Sequence, residues 1–191
     1  MLLPLVNSVL DKATELTRVS SRWIARSLGA LLLLTIAFIA CEVVTRKLFG
    51  FSFRFVHEYS GYLLAILSSW GLAHTLFERA HIRIDILYMQ LPSGFKLAFD
   101  LLAIMSMCLT ALAISYFGYP VLARSLSNGS LSNTALSTPL WIPHLLWISG
   151  YFWFSLASTL LLLRALVAVI SGDAERIKPS ISAEFSENDN Y

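Results

Sequence analysis

Charged side chains are scarce in this chain. They make up 14% of its residues, whereas soluble domains carry about 25%. Hydrophobic residues make up 57% of the chain, and the mean hydropathy is +0.68. The shortage of charge argues against an ordinary soluble domain and indicates a chain that is mostly embedded in a membrane.

Sequence motifs for catalysis are also missing. The chain has no glycine-rich phosphate-binding loop, no Cys-x-x-Cys pair and no nucleophile elbow. Its two cysteines, Cys41 and Cys108, fall in apolar segments, which favours buried thiols over a structural disulfide. The net charge of +2 gives no support for nucleic-acid binding. We therefore expect a non-enzymatic protein without a cofactor or a metal site.

Four apolar runs dominate what is present, at residues 27–44, 59–77, 101–119 and 145–163. Each approaches the roughly 20 residues that a helix needs to cross a bilayer. Only helices and closed barrels satisfy the backbone inside lipid, and continuous apolar runs favour helices. We predict an all-α polytopic membrane protein whose four transmembrane helices form a domain over residues 27–170.

Residues 1–26 are patterned for an amphipathic helix. Charged residues lie between apolar residues that recur at helical spacing, which are Leu5, Val9, Ala13, Leu16, Val19 and Trp23. Directly before a span, this pattern predicts a helix that lies along the inner membrane surface. The alternative is a polar leader that frays. The polar tail, residues 171–191, is expected to be disordered.

The basic residues are distributed unevenly along the chain. Four spans place both termini on one side of the membrane. The N-terminal segment, the second connection and the C-terminal segment hold ten of the 14 Lys and Arg residues. Because basic residues near helix ends stay on the cytoplasmic side, we predict that both termini are cytoplasmic.

Small residues line one face of the second run. These are Gly61, Ala65, Ser68 and Ser69. Small side chains let two helix backbones approach closely in a membrane. This face is therefore predicted to pack against another helix, either within the chain or in a partner.

Ionisable residues are few within the predicted spans. Glu42 precedes Arg46 by four residues, a spacing that favours a structural ion pair over transport chemistry. No unpaired acid or base lies deep in a span, and the matched broken segments of a transporter's own substrate site are missing. A scaffold that serves a larger partner fits this pattern better than a self-sufficient pump.

The histidines allow two alternatives. His57 and His144 fall at the outer ends of two spans and could clamp a haem, as in a cytochrome b-like electron carrier. His81 and Asp85 have the spacing of two metal ligands on one helix, but a third ligand is not evident. Lone histidines at helix ends are more often interfacial hydrogen-bonding groups.

Several short motifs follow one another in a fixed order. They read Arg46-Lys47-Leu48-Phe49-Gly50, Val56-His57-Glu58, Arg79-Ala80-His81-Ile82-Arg83-Ile84-Asp85, Leu91-Pro92 and Thr138-Pro139-Leu140-Trp141-Ile142-Pro143. In this order and spacing, residues 40–155 resemble the small membrane subunit of tripartite ATP-independent periplasmic (TRAP) transporters. His57 departs from the pattern, because the family often has a second acid beside Glu58.

The resemblance implies a place in a bacterial inner membrane and two protein partners. A periplasmic binding protein would capture an organic acid, and a large membrane subunit would import it with a sodium gradient. The small subunit would pack on the large one and anchor it, while substrate and sodium sites would lie elsewhere. Partner contacts are expected on the outer side at Arg46, Arg54, His57 and Glu58. On the inner side they are expected at Arg79, His81 and Asp85. Each could instead be a solvated charge that anchors a helix end.

Overall fold

The computed structural model describes residues 2–78, 93–134 and 136–171. Within them it contains four helices, which are α1 (Leu2–Phe49), α2 (Arg54–Phe77), α3 (Ser93–Ser127) and α4 (Trp141–Ile170). The β-structure among these residues is a single isolated bridge between Leu131 and Pro139. The predicted all-α architecture is confirmed.

Helix α1 is one continuous element where two were expected. It has 48 residues, which at about 1.5 Å each give a length of roughly 72 Å, more than twice the hydrocarbon core of a bilayer. Residues 5–49 contain no proline, and their only glycine is Gly29. A single glycine costs a helix only about 1 kcal/mol, so the change from amphipathic to apolar composition does not end the helix.

The first half of α1 packs through its small polar side chains. Thr14, Thr17 and Ser21 are buried, whereas Leu16 and Trp23 of the predicted apolar stripe are exposed. Because Thr and Ser are short, the backbone of α1 can approach its neighbours closely. The apolar stripe is consequently left on the outside of the bundle.

Ion pairs hold this half of α1 to the ends of two other helices. Arg164 of α4 lies 3.2 Å from Asp11, and Arg22 lies 3.4 Å from Glu78, just beyond α2. Arg18 donates a hydrogen bond to the carbonyl of Phe77. These contacts place the start of α1 and the end of α4 at the same end of the bundle, which we call the terminal end.

Helix α4 is the centre of the bundle, because it contacts each of the other three helices. Its Gly150 faces α2 so closely that an added Cβ would lie 2.8 Å from the Cβ of Ser69. The indole of Trp70 donates to the carbonyl of Leu146, and Trp153 donates to Ser21 of α1. We call this contact of Ser69 and Trp70 with Gly150 and its neighbours the α2–α4 seam.

Alanines and serines also bring α3 close to α4. Ala111 and Ala157 are fully buried in a cluster that α2, α3 and α4 share. The hydroxyls of Ser115 and Ser155 are 2.9 Å apart. Because lipid tails are as apolar as leucine, the burial of apolar side chains gives little driving force for helix association in a membrane. Close packing and interhelical hydrogen bonds hold the helices together instead.

Three of the described helices are long and apolar enough to cross a membrane. The spans lie within Asn7–Phe49, Ala98–Ser127 and Trp141–Ile170. Helix α2 has 24 residues, among them His57, Glu58 and His74, and it is not one of these three candidates. The fourth span therefore remains a prediction. The connection with Arg79, His81 and Asp85 lies outside the described residues, as does the tail beyond residue 171.

Candidate functional site at the loop end

The end of the bundle opposite the terminal end carries two connections and two carboxylates. The connections are residues 50–53 between α1 and α2 and residues 128–140 between α3 and α4. Glu42 belongs to the last turns of α1, and Glu58 to the first turns of α2. We call this region the loop end.

The carboxylate of Glu42 is fully buried and gathers groups from both sides of the first connection. The hydroxyl of Ser52 donates to its Oε1 at 2.9 Å. Arg46 approaches the same oxygen at 3.9 Å, which confirms the predicted pair within α1. Nε2 of His57 lies 3.5 Å from Oε2. A buried carboxylate is costly unless it is paired, so these contacts explain how Glu42 is tolerated here.

The connection that Ser52 belongs to is short and exposed. Gly50 has φ +70°, a left-handed conformation that favours glycine after a helix, and its amide donates to the carbonyl of Arg46. Phe51 and Phe53 follow with an edge-to-face ring contact at 5.1 Å. The turn thus leaves two aromatic rings at the loop end.

Glu58 ties the second connection to α2. Its carboxylate accepts hydrogen bonds from Ser132 at 2.8 Å, from Tyr62 at 2.9 Å and from Thr134. Glu58 lies just outside the predicted span of residues 59–77. The Thr134 hydroxyl, helped by Ser132, Thr138 and Tyr62, lowers its pKa from 4.5 to about 2, although partial burial acts in the opposite direction. The carboxylate is therefore ionised at neutral pH, and its oxygens are used within the chain.

The backbone of the second connection folds back on itself. The amide of Ser132 donates to the carbonyl of Thr138, and that of Leu140 donates to Ser130. Gly129 has φ +56°, which starts the reversal after α3. Glu58 therefore holds a preformed loop rather than an open chain.

The exposed charge at the loop end is basic. Both acids are engaged by their own chain, whereas the side chains of Arg46 and His57 are 51% and 61% exposed. Lys47 is also exposed. A surface with this charge suits an acidic partner or anionic lipid headgroups.

An apolar groove opens beneath the loop end. Its volume is about 400 Å³. It lies between α1, α2 and α4, with Leu31 and Phe38 on one wall and Leu63 and Ile142 on others. The lining consists of apolar side chains and hydroxyl groups and contains no charged side chain.

The structure distributes the predicted site residues unequally. Arg46 and His57 converge on Glu42, while Glu58 turns toward the second connection. Arg54 is the first residue of α2. Among the small residues of α2, Ser69 is buried against Gly150, Ala65 is half-buried, and Gly61 and Ser68 are exposed.

The two histidines considered for haem each contact a different side chain. His57 faces Glu42. Nδ1 of His144 lies 2.7 Å from the hydroxyl of Ser125 on α3. The residues that the structure describes contain no group of three or more metal-binding side chains.

Three residues of the loop end were not predicted from the sequence, namely Ser52, Ser132 and Thr134. Ser132 is 74 residues from Glu58 along the chain, so local spacing carries no signal for the contact. The one available signal was the abundance of hydroxyl side chains in residues 125–138.

A comparison with protein families decides the classification. Residues 35–171, more than half of the chain, match the family described as the DctQ component of tripartite ATP-independent periplasmic transporters. The chain belongs to the DctQ family. This confirms the resemblance inferred from the motifs and makes the chain the small membrane subunit of a TRAP transporter. DctQ is a family of transporter components rather than of enzymes. Comparison with curated proteins finds no match.

Proposed function

We propose that this DctQ chain is the scaffold subunit of a sodium-coupled, binding-protein-dependent importer of an organic acid. It packs on the large membrane subunit and anchors it in the bacterial inner membrane. The substrate and sodium sites belong to the large subunit. The lining of the groove contains no charged side chain that could pair with a carboxylate, which supports this assignment.

The observation that carries the proposal is the unpacked apolar surface of α1. In its most apolar stretch only 6% of the residues are buried, against 39% in α4. Leu33 is 69% exposed. The apolar stripe with Leu16 and Trp23 continues the exposed surface toward the terminal end. A large helical partner would cover this surface through close packing.

The loop end supports a second contact, with the periplasmic binding protein. Arg46, Arg54, His57 and Glu58 are the proposed contact residues on this side. Arg46 and His57 offer exposed basic groups, and Glu58 acts by holding the second connection in place. The residues Arg79, His81 and Asp85 are proposed to contact the large subunit or headgroups on the inner side.

The proposed topology follows from the four helices. We propose α2 as the fourth span, with Gly61, Ala65 and Ser68 available for packing against the partner. The start of α1 and the end of α4 share the terminal end. With the basic residues concentrated there, both termini are assigned to the cytoplasm.

Co-purification tests the scaffold role directly. The tagged chain is extracted from native membranes in mild detergent, and the proteins that accompany it are identified by mass spectrometry. Recovery of a stoichiometric, much larger polytopic protein is expected. Recovery of the chain alone, under conditions that preserve other membrane complexes, would contradict the proposal.

A matched pair of variants locates the interface. Leu33 on α1 and Leu109 on α3 are 69% and 70% exposed. Leu33→Trp is expected to reduce recovery of the large protein, because the bulky ring prevents close approach, while Leu109→Trp leaves recovery unchanged. The reverse result would place the interface on α3.

Deletion of the chain tests the transport role. Loss of sodium-driven organic-acid uptake is expected, with the large protein still present in the membrane. Unchanged uptake would reject a role in transport. Visible absorbance of the purified chain tests the haem alternative, which predicts a Soret band that our proposal does not.

A further inference from the structure

The contact between Glu42 and His57 joins a buried acid to an exposed base. The Glu42 side chain is 0% exposed, whereas that of His57 is 61% exposed. Histidine changes its charge between about pH 5 and pH 8. A histidine at this position can therefore present either a neutral ring or a cation to the buried carboxylate.

The two oxygens of the Glu42 carboxylate differ in their hydrogen bonding. Oε1 accepts the hydrogen bond from Ser52, whereas Oε2 accepts none from the residues that the structure describes. Nε2 of His57 lies 3.5 Å from this free oxygen, within reach of a small side-chain rotation. A protonated imidazole would supply a charge-assisted hydrogen bond, which is about twice as strong as a neutral one.

Arg46 sets the strength of this effect. Among the described residues, the charged groups that approach Glu42 are Arg46 from α1 and His57 from α2. Arg46 stays positive at every physiological pH and contacts the other oxygen at 3.9 Å. Glu42 thus keeps one cation when His57 is neutral, so the response to pH is graded rather than complete.

We propose that Glu42 and His57 form a proton-sensitive clasp between α1 and α2. Protonation of His57 draws it onto the free oxygen of Glu42 and fixes residues 50–53 against the bundle. Loss of that proton leaves Ser52 and Arg46 as the side chains that contact Glu42 among the described residues. The clasp depends on the geometry of this chain alone and does not require a particular partner.

Hydrogen exchange of the full chain in lipid nanodiscs tests the clasp. Exchange in residues 50–57 is compared at about pH 5.5 and pH 8, on either side of the histidine range, after correction for intrinsic exchange. Protection is expected to be about threefold greater at the lower pH, the size of a partly exposed ion pair. Equal protection at both values would overturn the proposal.

Four variants identify the responsible groups. His57→Gln keeps a neutral donor and should remove the pH dependence, whereas His144→Gln, which lies elsewhere at the loop end, should retain it. Glu42→Gln should also abolish it. Arg46→Gln should enlarge it, because His57 then becomes the main cation. Persistence of the dependence in His57→Gln would assign the proton to another group and reject the clasp. His57 is mostly exposed, so this variant is expected to fold even if Glu42→Gln does not.

Discussion

The α2–α4 seam and the apolar part of α1 differ sharply in how closely their side chains pack within the chain. At the seam, Gly150 lies directly against Ser69, and Trp70 donates to the carbonyl of Leu146. On α1, by contrast, Leu33 and its neighbours face away from the chain. Since apolar side chains gain little by moving from lipid to protein, the seam is held by fit and hydrogen bonds. The apolar part of α1 leaves its surface exposed to lipid or to a partner.

The largest effect is expected where the seam is tightest. Gly150→Leu places a side chain where a Cβ alone would lie 2.8 Å from the Cβ of Ser69 and 2.7 Å from Cδ1 of Trp70. We expect a loss of about 3 kcal/mol or more, the upper range for overpacking. The free energy of unfolding can be measured by steric trapping in micelles.

Gly71 provides a matched control on α2, because a Cβ there meets nothing within 4 Å. Gly71→Ala should change the free energy of unfolding little, or raise it by up to about 1 kcal/mol. If both substitutions were equally tolerated, α2 and α4 would not be in direct contact, and the contrast with α1 would disappear.

Removal of the Glu58 carboxylate should have a smaller, local effect. Glu58→Gln leaves a single acceptor oxygen for the hydroxyls of Ser132, Thr134 and Tyr62. Exchange of amides in residues 128–140 should rise several-fold while the helices stay protected. Under the proposed function, organic-acid uptake should also fall without loss of the chain from the membrane. Unchanged exchange would show that the loop holds itself by its backbone alone.

The second connection, held by Glu58, should respond to pH differently from the first connection, which contacts Glu42. The folded state lowers the pKa of Glu58 to about 2 from 4.5. A lowered pKa means that the ionised form contributes stability above the unfolded value, and that this contribution is lost as the pH falls toward about 2. Protection of residues 128–140 should therefore be constant between about pH 5 and pH 8, the range in which the Glu42–His57 clasp is expected to respond.

A modest effect is expected for the hydroxyl pair between α3 and α4. Ser115 and Ser155 are 2.9 Å apart and lie inside the bundle. A double-mutant cycle with alanine at both positions should give a coupling of about 0.6 kcal/mol, the average for such bonds in a membrane protein. A coupling near zero would mean that Ser155 is satisfied by the carbonyl of Tyr151, which it also contacts.

The helices were largely predictable from the sequence, because long apolar runs admit few other structures inside lipid. The pair of Glu42 and Arg46 was predictable too, since residues four apart share a helix face. The continuity of α1 was not predictable in this way. The composition of α1 changes along its length, but a change in composition does not by itself break a helix. The contacts of Glu58 with Ser132 and of Glu42 with His57 depend on how helices pair, which local spacing does not encode.

The smallest effect is expected on the apolar surface of α1. Leu33→Ala removes a side chain that is 69% exposed, so the isolated chain should lose less than about 0.5 kcal/mol of unfolding free energy. The matched substitution Leu161→Ala, in the core shared by α2, α3 and α4, should cost about 2 kcal/mol or more because it leaves a cavity. If α1 is the interface with the large subunit, Leu33→Ala should weaken co-purification although it leaves the chain itself intact. A large loss of stability in the isolated chain would instead show that α1 is packed within the bundle.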